Sequence, residues 1–289
     1  MATGATEFVD STTADVFIPE LWSSGAIVAR ENSLVFAMLV DRKYQDGLTH
    51  GDTIHVPSVG NLAARSKTKA SNSAITFETV TETNTDISVA TWEYAAMAVE
   101  SIVKIQANRD MFKLYSGKMG YALGLSIDDV LAGLPDNVDN TVGTLAVELS
   151  DDDILRAIQY LDDANVPADG RVFVLSPAEA VGWMKKDKFV HNDYTMLHGT
   201  EKAETSQERA YVKSFIGTPA YKSVNVEGSN AAGHDNVLFQ REAFALVVQM
   251  TPTPHHMYDI DYLVDKVVLE QLSGTAEMRD DHAVYLKGA

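Results

Sequence analysis

A chain of 289 residues with 45% hydrophobic content can bury one large core or two smaller ones. Its 41 Asp plus Glu against 23 Lys plus Arg leave a net charge of -18, which repels nucleic acid and anionic membrane over most of the surface and argues against sequence-specific DNA binding. The absence of cysteine excludes disulfides, Cys-ligated zinc, iron-sulfur clusters and thiol catalysis; no apolar run nears the ~18 residues that span a bilayer, and residues 1–15 lack the basic start and apolar core of a secretory signal.

In chain order, residues 1–16 are small, polar and acidic without periodicity, and read as an arm that orders only against a partner. Pro19 suits the first turn of a helix. Leu21, Trp22, Ala26, Ile27, Val28, Leu34, Val35, Met38 and Leu39 then recur at helical spacing, so a helix or helix pair is expected over about 19–40, with a break near Asn32 and Ser33. Gly51 and Asp52 open a short strand, Thr53–Val56, which Pro57 is expected to stop.

A polar segment, 60–73, carries Arg65, Lys67 and Lys69, the notable basic cluster of an acidic chain. From Ile75 to Trp92 the pattern has period two. Ile75, Phe77, Thr79, Thr81, Thr83, Thr85, Ile87 and Val89 share one face, while Thr76, Glu78, Glu82, Asn84, Asp86 and Ser88 share the other. A continuous strand of that length would reach roughly 60 Å at about 3.3 Å per residue, against a usual ~5 or 6 residues. With the preceding strand it is expected to form an extended hairpin that lies on other molecules.

From about Glu100 to Ala132 the period changes to 3.6, through Ile102, Ile105, Phe112, Tyr115, Met119, Leu123, Ile127 and Leu131. The expected helix would span about 50 Å if continuous, is weakened at Gly117, Gly120 and Gly124, and ends at Gly133 and Pro135. Beyond a turn-rich connector, Ser150 followed by three aspartates caps a helix through Leu161, and Val172–Leu175 reads as a buried strand. Ser176, Pro177 and Glu179 suggest a capping box opening a helix to about Lys185; 186–209 reads as a loop. Further strands are expected at 215–216, 220–226, 237–239 and 244–250, with Thr251-Pro252-Thr253-Pro254 as a stiff connector and a last hairpin from 264–272 and 283–286.

Catalytic motifs are absent in any confirming context: there is no G-x-S-x-G elbow, H-E-x-x-H pair, G-x-G-x-x-G after a strand or Walker lysine. Gly228–Gly233 has the glycine spacing of a phosphate loop, but His234 and Asp235 stand where Lys and Ser/Thr are required, so it reads as a polar hairpin turn. His255, His256, Asp259 and Asp261 offer donors that suit a divalent metal, which keeps a soluble metal-dependent hydrolase as an alternative; the plainer reading is polar side chains in water beside a Pro-rich connector. His191, His198 and Asp193 read as loop residues. Asp128 with Asp129, and Asp151 to Asp153, fit a solvated helix face or a helix start better than an acid/base pair. No catalytic, cofactor-binding or metal residue is expected.

Taken in order, these elements resemble the major capsid proteins of tailed bacteriophages, the α+β Hong Kong 97-type fold that encapsulin shells also use. The likeness is carried by Phe17-Ile18-Pro19-Glu20-Leu21-Trp22-Ser23, Asn32-Ser33-Leu34-Val35-Phe36, Gly51-Asp52-Thr53-Ile54-His55-Val56-Pro57, Arg171-Val172-Phe173-Val174-Leu175-Ser176-Pro177 and Phe215-Ile216-Gly217-Thr218-Pro219. It implies an N-terminal arm (1–18), an extended loop (42–92), a peripheral domain with a long spine helix (19–41, 93–140 and 253–289) and an axial domain (141–252).

The resemblance further implies a non-enzymatic shell subunit without cofactor. It would assemble with copies of itself as pentamers and hexamers into an icosahedral virion capsid, enclosing double-stranded DNA without sequence-specific binding and without a membrane. Assembly in the bacterial host cytoplasm with a portal protein is implied too, and with a separate scaffolding protein, since no long charged helical segment precedes residue 17. Contacts between subunits would run through the loop tip (Arg65, Lys67, Lys69) and loop strand (Phe77, Glu78, Glu82, Asp86), with Phe17 and Trp22 anchoring the arm. An encapsulin-like cargo shell is the alternative within the same architecture.

Overall fold

The computed structural model describes residues 34–45, 50–60, 62–67, 69, 74–75, 77–80, 82–102, 111–186, 211–215 and 217–289, all within one contact unit, Asn32–Ala289. Its elements are α1 (Phe36–Leu39), β1 (Thr53–Val59), β2 (Glu82–Ser88), β3 (Thr91–Glu100), α2 (Met111–Ala132), β4 (Thr141–Gly143), α3 (Asp151–Asp163), β5 (Arg171–Leu175), α4 (Pro177–Met184), β6 (Tyr211–Phe215), β7 (Thr218–Lys222), β8 (Gly228–Ser229), β9 (Gly233–Gln240), β10 (Phe244–Asp259), β11 (Val264–Glu277) and β12 (Ala283–Gly288). Short 3₁₀ turns stand at Leu134–Asn137, Arg241–Ala243 and Asp280–His282.

The described strands form three sheets. A mixed sheet runs in the order β4-β12-β9-β5-β7-β6 with β8 added to β9; a second is β10-β11-β3, and β1 pairs with β2 alone. In β5 every residue is buried, because the central strand is covered on both faces and its side chains alternate between two cores. Phe173 and Leu175 enter a cluster with Ile154, Leu161, Trp183 and Leu286. Val172 and Val174 enter another with Phe36, Leu131, Phe239 and Phe244.

The first cluster is closed by α3, whose start follows from sequence. Asp153 N–H donates to Ser150 Oγ at 3.2 Å and Ser150 N–H to Asp153 Oδ2 at 2.9 Å, a reciprocal capping box. Three aspartates in the first turn favour the positive end of the helix dipole. Ile154, Ala157 and Leu161 form the buried stripe, and Asn165, at φ 57°, turns the chain out of the helix. At the start of α4, Glu179 N–H donates to Ser176 Oγ, but the reciprocal half of the expected box is missing. The fully buried Glu179 carboxylate instead accepts from Leu149 N–H, Ala289 N–H and the Trp183 indole, while Ser176 N–H goes to Asn236. Tertiary donors outcompete the local one.

Several other expectations change. The 75–92 strand is interrupted: β2 begins only at Glu82, Val89 and Ala90 lie outside any strand, and Thr91–Glu100 leaves to pair with β11. A ladder needs a partner, and β1 supplies only seven positions, from Thr53↔Ser88 to Val59↔Glu82. Pro57 does not stop β1, since among the described residues the β1-β2 ribbon leaves one edge of β1 unpaired and a proline loses nothing there. Thr251–Pro254 is not a connector but part of β10, an edge strand. Two register shifts mark it, with Thr251 and Pro252 standing opposite Gln271 alone.

The expected last hairpin is absent, because β11 pairs with β10 and β3 whereas β12 joins β9 and β4 in the mixed sheet. Strand character reaches Glu100, and the long helix is described from Met111, continuing through Gly117, Gly120 and Gly124 to Ala132. At Gly124 a Cβ would lie 2.8 Å from Leu34 Cδ1, so the glycine admits the segment leading into α1. Asp128 is not solvated: it is fully buried and accepts from Val35 N–H, Ala37 N–H and Asn225 Nδ2. The expected arm, the expected 19–40 helix as far as residue 33 and nearly all of the expected 186–209 loop fall on residues outside those described.

Candidate interaction surface

The β1-β2 hairpin is anchored at one end only. Ile87 and Val89 are buried with Ala245 and Val247, and Ile54, Val56, Tyr44, Leu272 and Met278 pack around them. Gly274 of β11 lies directly beneath; a Cβ there would come within 2.4 Å of Ser88 O. Away from that root the odd-numbered face loses its cover: Thr85 is half-buried, Thr83 is exposed, and Phe77 is 85% exposed. Ile75, Leu62 and Val59 are exposed as well. Among the described residues of the 75–92 pattern, alternating burial is thus seen from β2 onward, and it is the last positions that meet the core.

At the tip the structure brings two of the named residues together. Arg65 lies 3.9 Å from Glu78, whose other oxygen accepts from Ala63 N–H at 3.2 Å, so the acid ties the two limbs of the loop. Lys67 and Lys69 are exposed and have no ionic partner among the described residues. Glu82 stands opposite Val59 at the end of the ladder. Asp86 faces His55 across it, with Nδ1 to Oδ1 at 2.6 Å, and Asn84 also donates to Asp86. His55 was missed by sequence reasoning, although once β1 and β2 are paired the register makes it the direct partner of Asp86. Phe17 and Trp22 lie outside the described residues.

An open cleft of about 520 Å³ lies beside the hairpin, its lining including Tyr44, Val56, Pro57, Thr83, Glu242 and Arg279. Among the described residues that line it, no serine or threonine hydroxyl is hydrogen-bonded to a base. The candidate metal ligands do not converge either, because adjacent residues of a strand face opposite ways. His255 Nε2 meets Glu270 at 2.8 Å and His256 Nε2 meets Asp265 at 3.6 Å, while Lys266 donates to Asp259, holding that carboxyl below its ordinary range. His191, Asp193 and His198 lie outside the described residues.

Among the described residues the one close acidic trio is Asp136, Glu227 and Asp235. Burial first, then its acidic neighbours, pushes the Glu227 carboxyl up, and the Tyr285 hydroxyl donates to Asp235. No described helix is long and apolar enough to cross a membrane.

No protein-family model matches the sequence, and no curated protein does. Solved structures match over nearly its full length. One from Mycobacterium phage Che8 has a TM-score of 0.78 at 23% identity, covering 94% of this chain and 97% of that one. The capsid structure of the cyanophage P-SCSP1u has a TM-score of 0.73 at 16% identity, covering 96% and 94% respectively. The asymmetric unit of the bacteriophage PhiM1 mature capsid has a TM-score of 0.70 at 14% identity, covering 93% and 91%. At these identities the likeness is one of fold.

Proposed function

We propose that this chain, which has the α+β Hong Kong 97-type fold, is the major capsid protein of a tailed bacteriophage, a structural subunit and not an enzyme. The observation that carries the reading is the hairpin. Its root is packed into the body, whereas Phe77, Ile75, Leu62 and Val59 project without a core of their own. An exposed apolar segment on an otherwise acidic chain is suited to neighbouring subunits.

In this reading the loop tip (Arg65, Lys67, Lys69) and loop strand (Phe77, Glu78, Glu82, Asp86) meet adjacent copies, and Phe17 and Trp22 anchor an arm. The working division is arm 1–18, extended loop 42–92, peripheral domain 19–41, 93–140 and 253–289, and axial domain 141–252; β12, inside the last peripheral stretch, is nevertheless hydrogen-bonded to the sheet of the axial stretch. Copies would close as pentamers and hexamers around DNA, with a scaffolding and a portal protein assisting in the host cytoplasm and the chain ending in the virion. The net charge of -18 suits enclosing DNA without adhering to it.

Electron microscopy of the purified chain, alone and co-expressed with its neighbouring genes, tests this. Closed shells are expected, and single-chain particles under every condition would overturn it. DNA inside native particles supports the virion reading; an enzyme cargo in its place would favour a nanocompartment.

A further inference from the structure

The crossover from β11 to β12 carries a second feature, independent of assembly. Glu277 ends β11 opposite Phe244, and its Oε1 is buried without a hydrogen-bond partner. Three residues on, Asp280 meets the same carboxyl and also accepts from Asp139 N–H at 2.9 Å. Two carboxyl groups at hydrogen-bonding range have only acceptors to offer unless one carries a proton.

Between them Met278 N–H and Arg279 N–H both donate to Ala243 O, and the Met278 side chain packs into the hairpin-root cluster beside Ile87 and Val89. Met278, Arg279 and Asp281 also form the wall of the cleft that faces β1 and β2.

We propose that the Glu277 and Asp280 carboxyls form a proton-operated joint, tight while the pair shares a proton and loosened when both ionise, which sets how firmly the hairpin root is held. The groups that act on Glu277 are Asp280 on its own crossover and Asp139 on the segment before β4. Burial, then Asp280, then Asp139 push its carboxyl up to about 7. Asp281, Arg279, Glu242 and Arg171 act instead on His282. That imidazole is held below its ordinary range by burial, so its charging loosens the fold as pH falls, the opposite sign to Glu277.

Raised above its ordinary value, the Glu277 carboxyl favours the closed joint most at acid pH and loses that effect as pH rises toward 7. Hydrogen exchange of the intact chain, corrected for intrinsic rates, reads this out. Protection of residues 86–89 and 277–282 should fall by up to about tenfold per pH unit between roughly 5 and 7 and level off above. Glu277→Gln and Asp280→Asn should each remove the slope. A flat profile in the unmodified chain, or an unchanged slope in a folded Glu277→Gln chain, overturns the proposal. Carbon-13 titration of the Glu277 carboxyl in the unmodified chain needs no variant: a midpoint near 7 supports the joint, and one near 4.5 overturns it.

Discussion

The carboxylate of Asp128, fully buried on the long helix α2, accepts the backbone N–H of Ala37 at 3.1 Å. A second oxygen serves Val35 N–H and Asn225 Nδ2, so one side chain joins α2, the first turn of α1 and the loop after β7. Asp128→Ala takes the acceptor from three donors, Val35 N–H buried and the other two partly buried, and should cost about 3 kcal/mol in urea denaturation. Asp128→Asn, which keeps one acceptor oxygen, should cost less.

Phe173 is fully buried and stands edge-on to Trp183, ring centres 5.1 Å apart. Truncation to alanine removes a central side chain of the mixed sheet where neighbours on both sides are fixed. Phe173→Ala should therefore lose about 3–5 kcal/mol, measured by the denaturation midpoint with the slope unchanged.

Phe77 should behave in the opposite way. Being 85% exposed, it contributes little to the isolated chain, and Phe77→Ala should change stability by no more than about 0.5 kcal/mol. Assembly is where its loss should appear, as fewer or weaker shells by electron microscopy. Deletion of 60–73 is expected to leave a folded subunit that assembles poorly; normal shells from either variant would remove the proposed role of the loop.

Gly274 tests the seat of the hairpin. A methyl group there would collide with Ser88 O at 2.4 Å, a backbone atom that cannot swing aside. Gly274→Ala should cost about 1–3 kcal/mol, as overpacking does, and raise hydrogen exchange at 86–89 more than in β5.

The Glu277 carboxyl also makes a prediction about global stability. Its contribution is complete below about 4.5 and is lost as pH rises to about 7. Glu277→Gln should thus be more stable than the unmodified chain at pH 8, by about 1 kcal/mol after solvent screening, with that advantage shrinking toward pH 5. Equal differences at both pH values would count against it.

Much of the architecture was legible in the chain. The Ser150 cap with its aspartates, the apolar run at 172–175, the helical period ending at Gly133 and the period-two alternation over 82–88 are local signals, and local geometry obeys them. Their order also carried the likeness to the Hong Kong 97-type fold. Partners were harder to read. Pro57 and Pro252 looked like breaks because a missing N–H matters only when a strand lies on that side. Asp128 and Glu179 looked like surface or capping acids because their donors arrive from about 91 and 110 residues away in sequence.

The sequence alone determined composition, charge, the helix caps and the alternation that marks the hairpin, since each depends on neighbours a few residues apart. Tertiary structure decided which strands pair, where the 75–92 ladder stops, why β11 and β12 part company at Glu277 and which acids are buried. Those outcomes turn on desolvation and on hydrogen-bond partners distant in the chain, and no local pattern encodes either.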